Sequence, residues 1–410
     1  MGKALMVNSA AGIGLANGNE SPLFGSDSFS STEAHSQTSC SEAATFSNLA
    51  INVISGNSGT LTLRFRDAGA DGQQVVSFSG AASSEDAVNT DVLSAGDLFN
   101  VSYVDTGTNS VTSWIKANIE LSSGHGNIHG SGRGSGQVQD APSSTRFHSL
   151  AGKIIADGST TENNTEWLVR NYDTFAAMQV RVAANARLND SIFRNRIDGG
   201  DGTGVITFAT LVTGLIEDTA VGDAITTGQT INTSITLGTG VEDLSLTFIA
   251  ATLKSSGNHS ESWIADELGL ARAASATAHY VPIGGWLGSF TAYTEAQAAI
   301  KLGFAGTASN LRCYLSANTY ASDGTLKLMQ NGAAVLTTTL TAGGGAAWYE
   351  NASDTVSFDA DDVFSLEFDE GGASGSISLQ SAGITFQAAA GGGAIGYWGR
   401  SLRYIATKNR

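Results

Sequence analysis

The chain has 410 residues, 41% of them hydrophobic, with 50 glycines, 3 prolines, 2 cysteines and a formal net charge of −17. That apolar share supports packed cores and excludes a disordered polymer, while glycine without a three-residue period excludes a collagen triple helix. A balance this acidic excludes nucleic acid as the main partner, because phosphate binding needs clustered lysine and arginine.

Glycines set between short alternating segments predict a turn-rich all-β protein, and the length gives room for roughly two to four domains. Residues 1–21 read as an extended arm. Their apolar run, Ala4 to Val7, is too short for the core of a secretory signal, and no stretch reaches the ~20 apolar residues of a membrane span. The expectation is a protein made in a cytoplasm and not exported by the usual route, with no membrane partner.

A first module is predicted over 22–121. Leu61, Leu63 and Phe65 alternate with Thr62, Arg64 and Arg66, and Phe99, Val101 and Tyr103 follow the same period of two. Each such strand buries one face and wets the other, as in a sheet of a sandwich. Asp71-Gly72 reads as its tight turn. Residues 122–146, rich in Gly and Ser, read as a linker or strap. A second module follows over 147–253. Residues 254–279 read as a second linker, in which Ser260 caps a short helix through Glu261 to Leu268, stopped by Gly269. A third module spans 280–386, with Asn331-Gly332 as a two-residue hairpin turn. Residues 387–410 are a Gly-rich hinge and a tail with Arg400, Arg403, Lys408 and Arg410 and no acid. Trp398 and Tyr404 would anchor that tail on an acidic neighbour, so these six residues are the candidate partner-binding set.

The modules are read as copies of one another. Phe46-Ser-Asn-Leu49-Ala-Ile51-Asn-Val53 returns as Phe175-Ala-Ala-Met178-Gln-Val180-Arg-Val182 and as Ala308-Ser-Asn310-Leu311-Arg-Cys313-Tyr-Leu315. Glu33, Glu162 and Glu295 each stand 13 residues before these openings. A period this long marks a repeated module. The side chains differ widely between copies, so what repeats is a backbone plan and not an active site.

His125 and His129 are four apart among glycines, which forbid the helix that would bring both to one metal. Asp198-Gly-Gly-Asp201-Gly202 and Asp359-Ala-Asp361-Asp362 carry calcium-type ligands without EF-hand spacing, and read as turns. The three recurrent glutamates read as hydrogen-bonding residues at strand ends. Cys40 and Cys313 fall at non-equivalent positions, so no disulfide is expected. There is no G-x-S-x-G, HExxH, P-loop or dinucleotide fingerprint, and no catalytic residue, metal or cofactor is assigned. Trp114, Trp167, Trp286, Trp348 and Tyr349 are either packing residues or, if on loops, stacking platforms for glycans.

The phrases Leu49-Ala-Ile51-Asn-Val53, Asn57, Thr60 to Gly69 and Gly96-Asp97, with Leu326-Lys-Leu-Met-Gln-Asn331-Gly332, resemble a repeat of phage virion structural proteins. That resemblance implies tandem jelly-roll-like β-sandwich units and a role in a capsid, a head decoration or a fibre. Its partners would be other copies of the chain and other virion proteins, in a particle assembled in the host cytoplasm. A glycan-binding adhesin and a cellular filament subunit are the alternatives.

Overall fold

The computed structural model describes residues 4–14, 19–21, 23, 30–55, 59–80, 83–107, 110–140, 143–240, 243–273, 278–286, 294–369 and 374–389. Nearly everything in them is strand. The first unit holds β1 (Ala4–Gly14), β2 (Asn19–Ser21), β3 (Thr38–Ser39), β4 (Ala44–Ser55), β5 (Thr60–Asp67), β6 (Ala70–Ser79), β7 (Ser83–Leu93), β8 (Leu98–Asp105) and β9 (Ser110–Leu121). They form two sheets, ordered β1-β9-β4-β7 and β2-β8-β5-β6, with β3 also on β8.

The second unit holds β10 (His125–Gln139), β11 (Thr145–His148), β12 (Trp167–Leu168), β13 (Thr174–Asn185), β14 (Ser191–Ile197), β15 (Gly200–Phe208), β16 (Gly214–Asp218), β17 (Asp223–Ala224), β18 (Thr230–Thr236) and β19 (Leu244–Ser255). Its sheets run β10-β19-β13-β16 and β11-β18-β14-β15, with β17 on β13 and β12 on β18. The third holds β20 (His259–Ala273), β21 (His279–Val281), β22 (Gly285–Trp286), a single helical turn α1 (Glu295–Ala298), β23 (Ile300–Lys301), β24 (Gly306–Asn318), β25 (Gly324–Gln330), β26 (Ala333–Leu340), β27 (Ala347–Phe358), β28 (Val363–Asp369) and β29 (Ser376–Ala388). Its sheets run β22-β20-β29-β24-β27 and β21-β28-β25-β26, with β23 on β28.

In each unit the first long strand pairs with the last, and pairing continues inward to a hairpin. This is a long β-ribbon rolled into a sandwich, the jelly-roll winding. The ribbon tips are two-residue turns at Ala68-Gly69, Asp198-Gly199 and Asn331-Gly332. All six residues have positive φ, from 47° at Ala68 to 86° at Gly69 and Gly332. Two successive left-handed residues match the twist of the flanking strands. The turn expected at Asp71-Gly72 is therefore displaced: Asp71 lies on β6, opposite Arg66. An alanine rarely takes positive φ, and that hid the true turn.

The strands alternate as the sequence requires. Leu61, Leu63 and Phe65 are fully buried on β5, and the residues between them are partly exposed. Phe46 packs its ring 4.9 Å from Phe65 and 4.8 Å from Phe99, joining the two sheets.

Three segments depart from expectation. The arm is β1, paired along β9. The Gly/Ser linker is β10, paired along β19. The predicted short helix is part of β20, paired along β29. Each unit thus begins with a strand that the sequence disguises, and only about three residues separate β9 from β10 or β19 from β20. The reason is crowding, because β1, β10 and β20 lie against one another where the units meet. Ser260 to Ala265 are buried without a gap, so their burial has no period of two. On β10 the paired strand itself leaves no room at one position: a Cβ on Gly126 would lie 2.4 Å from the carbonyl oxygen of Leu253 on β19.

Candidate functional site: three interfaces within one chain

The strand registers make positions equivalent. Phe46, Phe175 and Ala308 sit opposite Ile119, Leu253 and Phe386. Two residues beyond an intervening bulge, Ala50, Gln179 and Arg312 face outward from their own cores. Directly across the sheet from them stand Lys116, Ala250 and Gly383. These outward positions are not wet. They lie under the neighbouring unit.

Between units one and two, the Gln179 carboxamide grips the backbone of Ser39. Its Oε1 accepts from the Ser39 N–H at 2.9 Å and its Nε2 donates to the Ser39 carbonyl at 2.9 Å. Ser41 and Thr252 hydroxyls meet at 2.8 Å, and Lys254 pairs with Glu42 at 3.2 Å. Arg181 donates to the Gln37 carbonyl at 3.2 Å, and burial lowers its guanidinium to about 10. Ile128, Phe248 and Ala250 of unit two complete the apolar core of unit one.

Between units two and three the same positions carry charge. Arg312, fully buried, donates from Nε to the Leu168 carbonyl at 2.7 Å and from Nη2 to Glu261 at 2.5 Å. Glu261 also accepts from the backbone N–H groups of Arg170 and Asn171 at 2.9 Å and from the Trp263 indole at 3.0 Å. Burial lowers the Arg312 guanidinium from its usual value, and Glu261 opposes that. Arg170 pairs with Glu350, whose hydrogen bond raises the guanidinium further. Trp167 stacks on Trp263 at 5.0 Å and 10°, His129 meets Trp167 edge-on at 4.9 Å, and the Arg312 guanidinium lies 4.4 Å over Trp263.

Between units three and one, the Leu302 carbonyl accepts from Lys116 Nζ at 3.3 Å and from Asn118 Nδ2 at 3.0 Å. Trp114 and Asn52 both donate to the Gln297 carbonyl at 3.1 Å. Trp114 belongs to the apolar core of unit three. Asn118, Thr252 and Thr385 are equivalent, and each receives the preceding unit's segment, Leu302, Ser41 and Asn171 respectively. One patch thus meets one other patch three times, and the third contact returns to the first unit. This is a closed head-to-tail ring.

The aromatic residues are absorbed by this packing. Trp114, Trp167 and Tyr349 are at most 9% exposed, and Trp348 packs on the core of unit two. The side chain of Trp286 lies outside the described residues. Glu33 and Glu162 bind Arg66 and Arg196 at 3.0 and 2.7 Å. The third unit has Met329 at the matching place, opposite Ala334, although Glu295, like Glu33 and Glu162, opens a single helical turn. His129 hydrogen-bonds Tyr172 at 2.8 Å, and burial lowers it to about 3, so it is neutral. The Asp198 loop is a hairpin tip, and the described residues contain no cluster of three metal-ligating side chains. Cys40 and Cys313 are buried and unpaired, with burial raising both thiols. The tail residues Trp398, Arg400, Arg403, Tyr404, Lys408 and Arg410 lie outside the described residues.

Gln179, Arg312, Glu261 and Lys116 were not singled out in the sequence. Alternation marks Gln179, Arg312 and Lys116 as facing away from their own core, which in an isolated sandwich means solvent, and Glu261 falls in the stretch expected to be a helix. Only the neighbouring unit buries them.

No family model matches this sequence, and none of the curated proteins does. Among solved structures, a Paenibacillus xanthan lyase is similar over 83% of this chain and 51% of its own, at 11% identity and a TM-score of 0.19. The chain spans about half the length of that lyase. Infectious bursal disease virus, Gx strain, is similar over 64% of this chain and 73% of its own, at 12% identity and a TM-score of 0.19. Tripeptidyl peptidase 2 is similar over 94% and 33%, at 9% identity and a TM-score of 0.20. Likenesses of this size carry no argument about function.

Proposed function

We propose that the chain is a structural protein of a virion, acting as a shell or decoration unit by shape and contact without chemistry. The observation that supports this is the closed ring of three jelly-roll sandwiches. A unit with threefold-repeated backbone suits a threefold or quasi-threefold position, where the symmetry of a shell multiplies weak contacts with neighbours. Making the unit from one chain removes the concentration dependence of assembling a trimer. The acidic balance keeps such a unit soluble before it is built in. The buried polar groups Gln179, Arg312 and Glu261 are spent on joining the units.

The test is immunogold labelling and electron microscopy of particles from cells that make the protein, with cryo-microscopy of labelled particles. The expected result is label on the particle surface and density for the ring at threefold or quasi-threefold positions. Label confined to cell cytoplasm, with particles bare, overturns the proposal.

A further inference from the structure

Two of the three interfaces are filled at the position under Ala50, Gln179 and Arg312, and the third is hollow. In unit two the outward pair is Gln179 with Ala250, and in unit three it is Arg312 with Gly383. Each supplies one large polar group and one small residue. In unit one the order is reversed, Ala50 with Lys116. Lys116 does not take over the missing contact. Its Nζ reaches the Leu302 carbonyl, one residue beyond the backbone that Gln179 and Arg312 grip in the other interfaces. What remains is a cavity of about 400 Å³, within the range of small-molecule sites. Ala50, Ile51, Trp114 and Val363 form apolar wall, with Glu85 and Lys301 beside them.

We propose that this cavity is a binding site for a small neutral carboxamide with an apolar body. The chemistry comes from the sister interface. Ser39 and Lys301 are equivalent, each ending a two-residue strand opposite Leu98 and Val363. At Ser39 the group that fits is a carboxamide, accepting from the N–H and donating to the carbonyl, each at 2.9 Å. Ala50 and Lys301 both line the cavity, and the Ala50 side chain is too short to make the bonds that Gln179 makes to Ser39. Charge excludes ions as ligands. Glu85 is already bound by Asn48 at 2.9 Å, by Lys301 at 3.2 Å and by Lys116 at 3.9 Å, and Lys301 also pairs with Asp361 at 2.9 Å. The two cations and two anions balance, so a charged guest would have to break a pair to gain one. A ring or branched alkyl group beside Trp114 would cover the apolar wall.

The site stands independently of the virion reading, since it rests on the interface alone. The test is a titration of the full chain with benzamide, followed by ligand-observed NMR, with benzoate and benzylammonium as charged analogues. Benzamide should bind with a Kd of about 1 mM, as expected for a fragment of this size. Benzoate and benzylammonium should bind about tenfold more weakly. Ala50→Gln places in the cavity the group that unit two uses and should weaken benzamide about tenfold. Should that variant fail to fold, Ala296→Leu, exposed on α1 at the opposite wall, is the second filler and should have the same effect. No detectable benzamide binding overturns the proposal. So does equal binding by wild type and filled variant, or charged analogues that bind as tightly as benzamide.

Discussion

The interface between units two and three and the interface between units three and one use the same backbone positions for opposite ends. The first is packed shut: Arg312 and Glu261 are both fully buried, a tryptophan pair stacks beside them, and four donors satisfy Glu261. The second holds charges at its margin around a hollow. One ring can therefore keep its symmetry while its joints differ in chemistry. A buried ion pair gives little net stability but penalises any arrangement that leaves one partner alone. Arg312 and Glu261 both belong to unit three, and unit two completes them with the Leu168 carbonyl and the Arg170 and Asn171 N–H groups, so the filled joint specifies which unit sits beside it.

The largest expected effect comes from breaking the filled joint. Arg312→Ala leaves Glu261 charged and buried, which should cost about 3–5 kcal/mol in denaturant unfolding. Arg312→Met combined with Glu261→Leu removes both charges and should recover most of that loss. If the double variant is as unstable as the single one, the charge pair is not what Arg312 contributes.

Next comes the pH dependence of His129, which packs on Trp167 in the same joint. Its value falls from 6.5 to about 3 because it is buried. The folded value lies below the unfolded one, so as pH drops below 6.5 the unfolded chain takes up the proton first. Stability is then lost at about 1.4 kcal/mol per pH unit down to the folded value. Burial also lowers His35, His125, His259 and His279, which add to the loss in the same direction. Unfolding followed from pH 7 to pH 4.5 should therefore show at least this slope, and His129→Gln should reduce it. A wild-type slope matched by the variant would place the titrating group elsewhere.

Much of the fold can be read in the sequence, and the missing parts have physical causes. The alternation of Leu61, Leu63 and Phe65, and the threefold return of the phrase at Phe46, Phe175 and Ala308, predict the sandwich and its register, because a half-buried strand must alternate. The opening strands β1, β10 and β20 were hidden because they meet at the centre of the ring. On β10, close approach to the paired β19 requires a glycine at Gly126, and burial of successive residues erases the period on β20. The site was hidden for a related reason. A polar residue between apolar ones, such as Arg312 between Leu311 and Cys313, looks solvated until the neighbouring unit is placed over it. The one hint in the sequence is chemical: the repeat puts Ala, Gln and Arg at one position, which a solvated face would not require to change in step with Lys, Ala and Gly across from it.

A smaller effect probes the first joint. Gln179→Ala removes both hydrogen bonds to Ser39 and leaves its buried N–H and carbonyl without them, at a cost of about 1–3 kcal/mol. A change of a few tenths of a kcal/mol would mean that water replaces the carboxamide there, and that this joint is wetter than its geometry implies.

The smallest effect sharpens the contrast by converting the hollow joint into the form found in unit two. Ala50→Gln with Lys116→Ala rebuilds the pair Gln179 and Ala250 at the third interface. Lys116→Ala alone removes a buried ammonium that bridges Glu85 and the Leu302 carbonyl, and should destabilise by about 1–3 kcal/mol. Ala50→Gln alone should stabilise by up to about 1 kcal/mol, from bonds to Lys301 offset by the entropy of fixing the side chain. If the three joints are variants of one design, the two changes support each other. The double variant should then be more stable than the sum of the singles by roughly 0.5–1 kcal/mol in a double-mutant cycle. Strict additivity would mean that Ala50 and Lys116, though directly opposite in the sheet, do not share the cavity, and that its hollowness has no connection with the reversed pair.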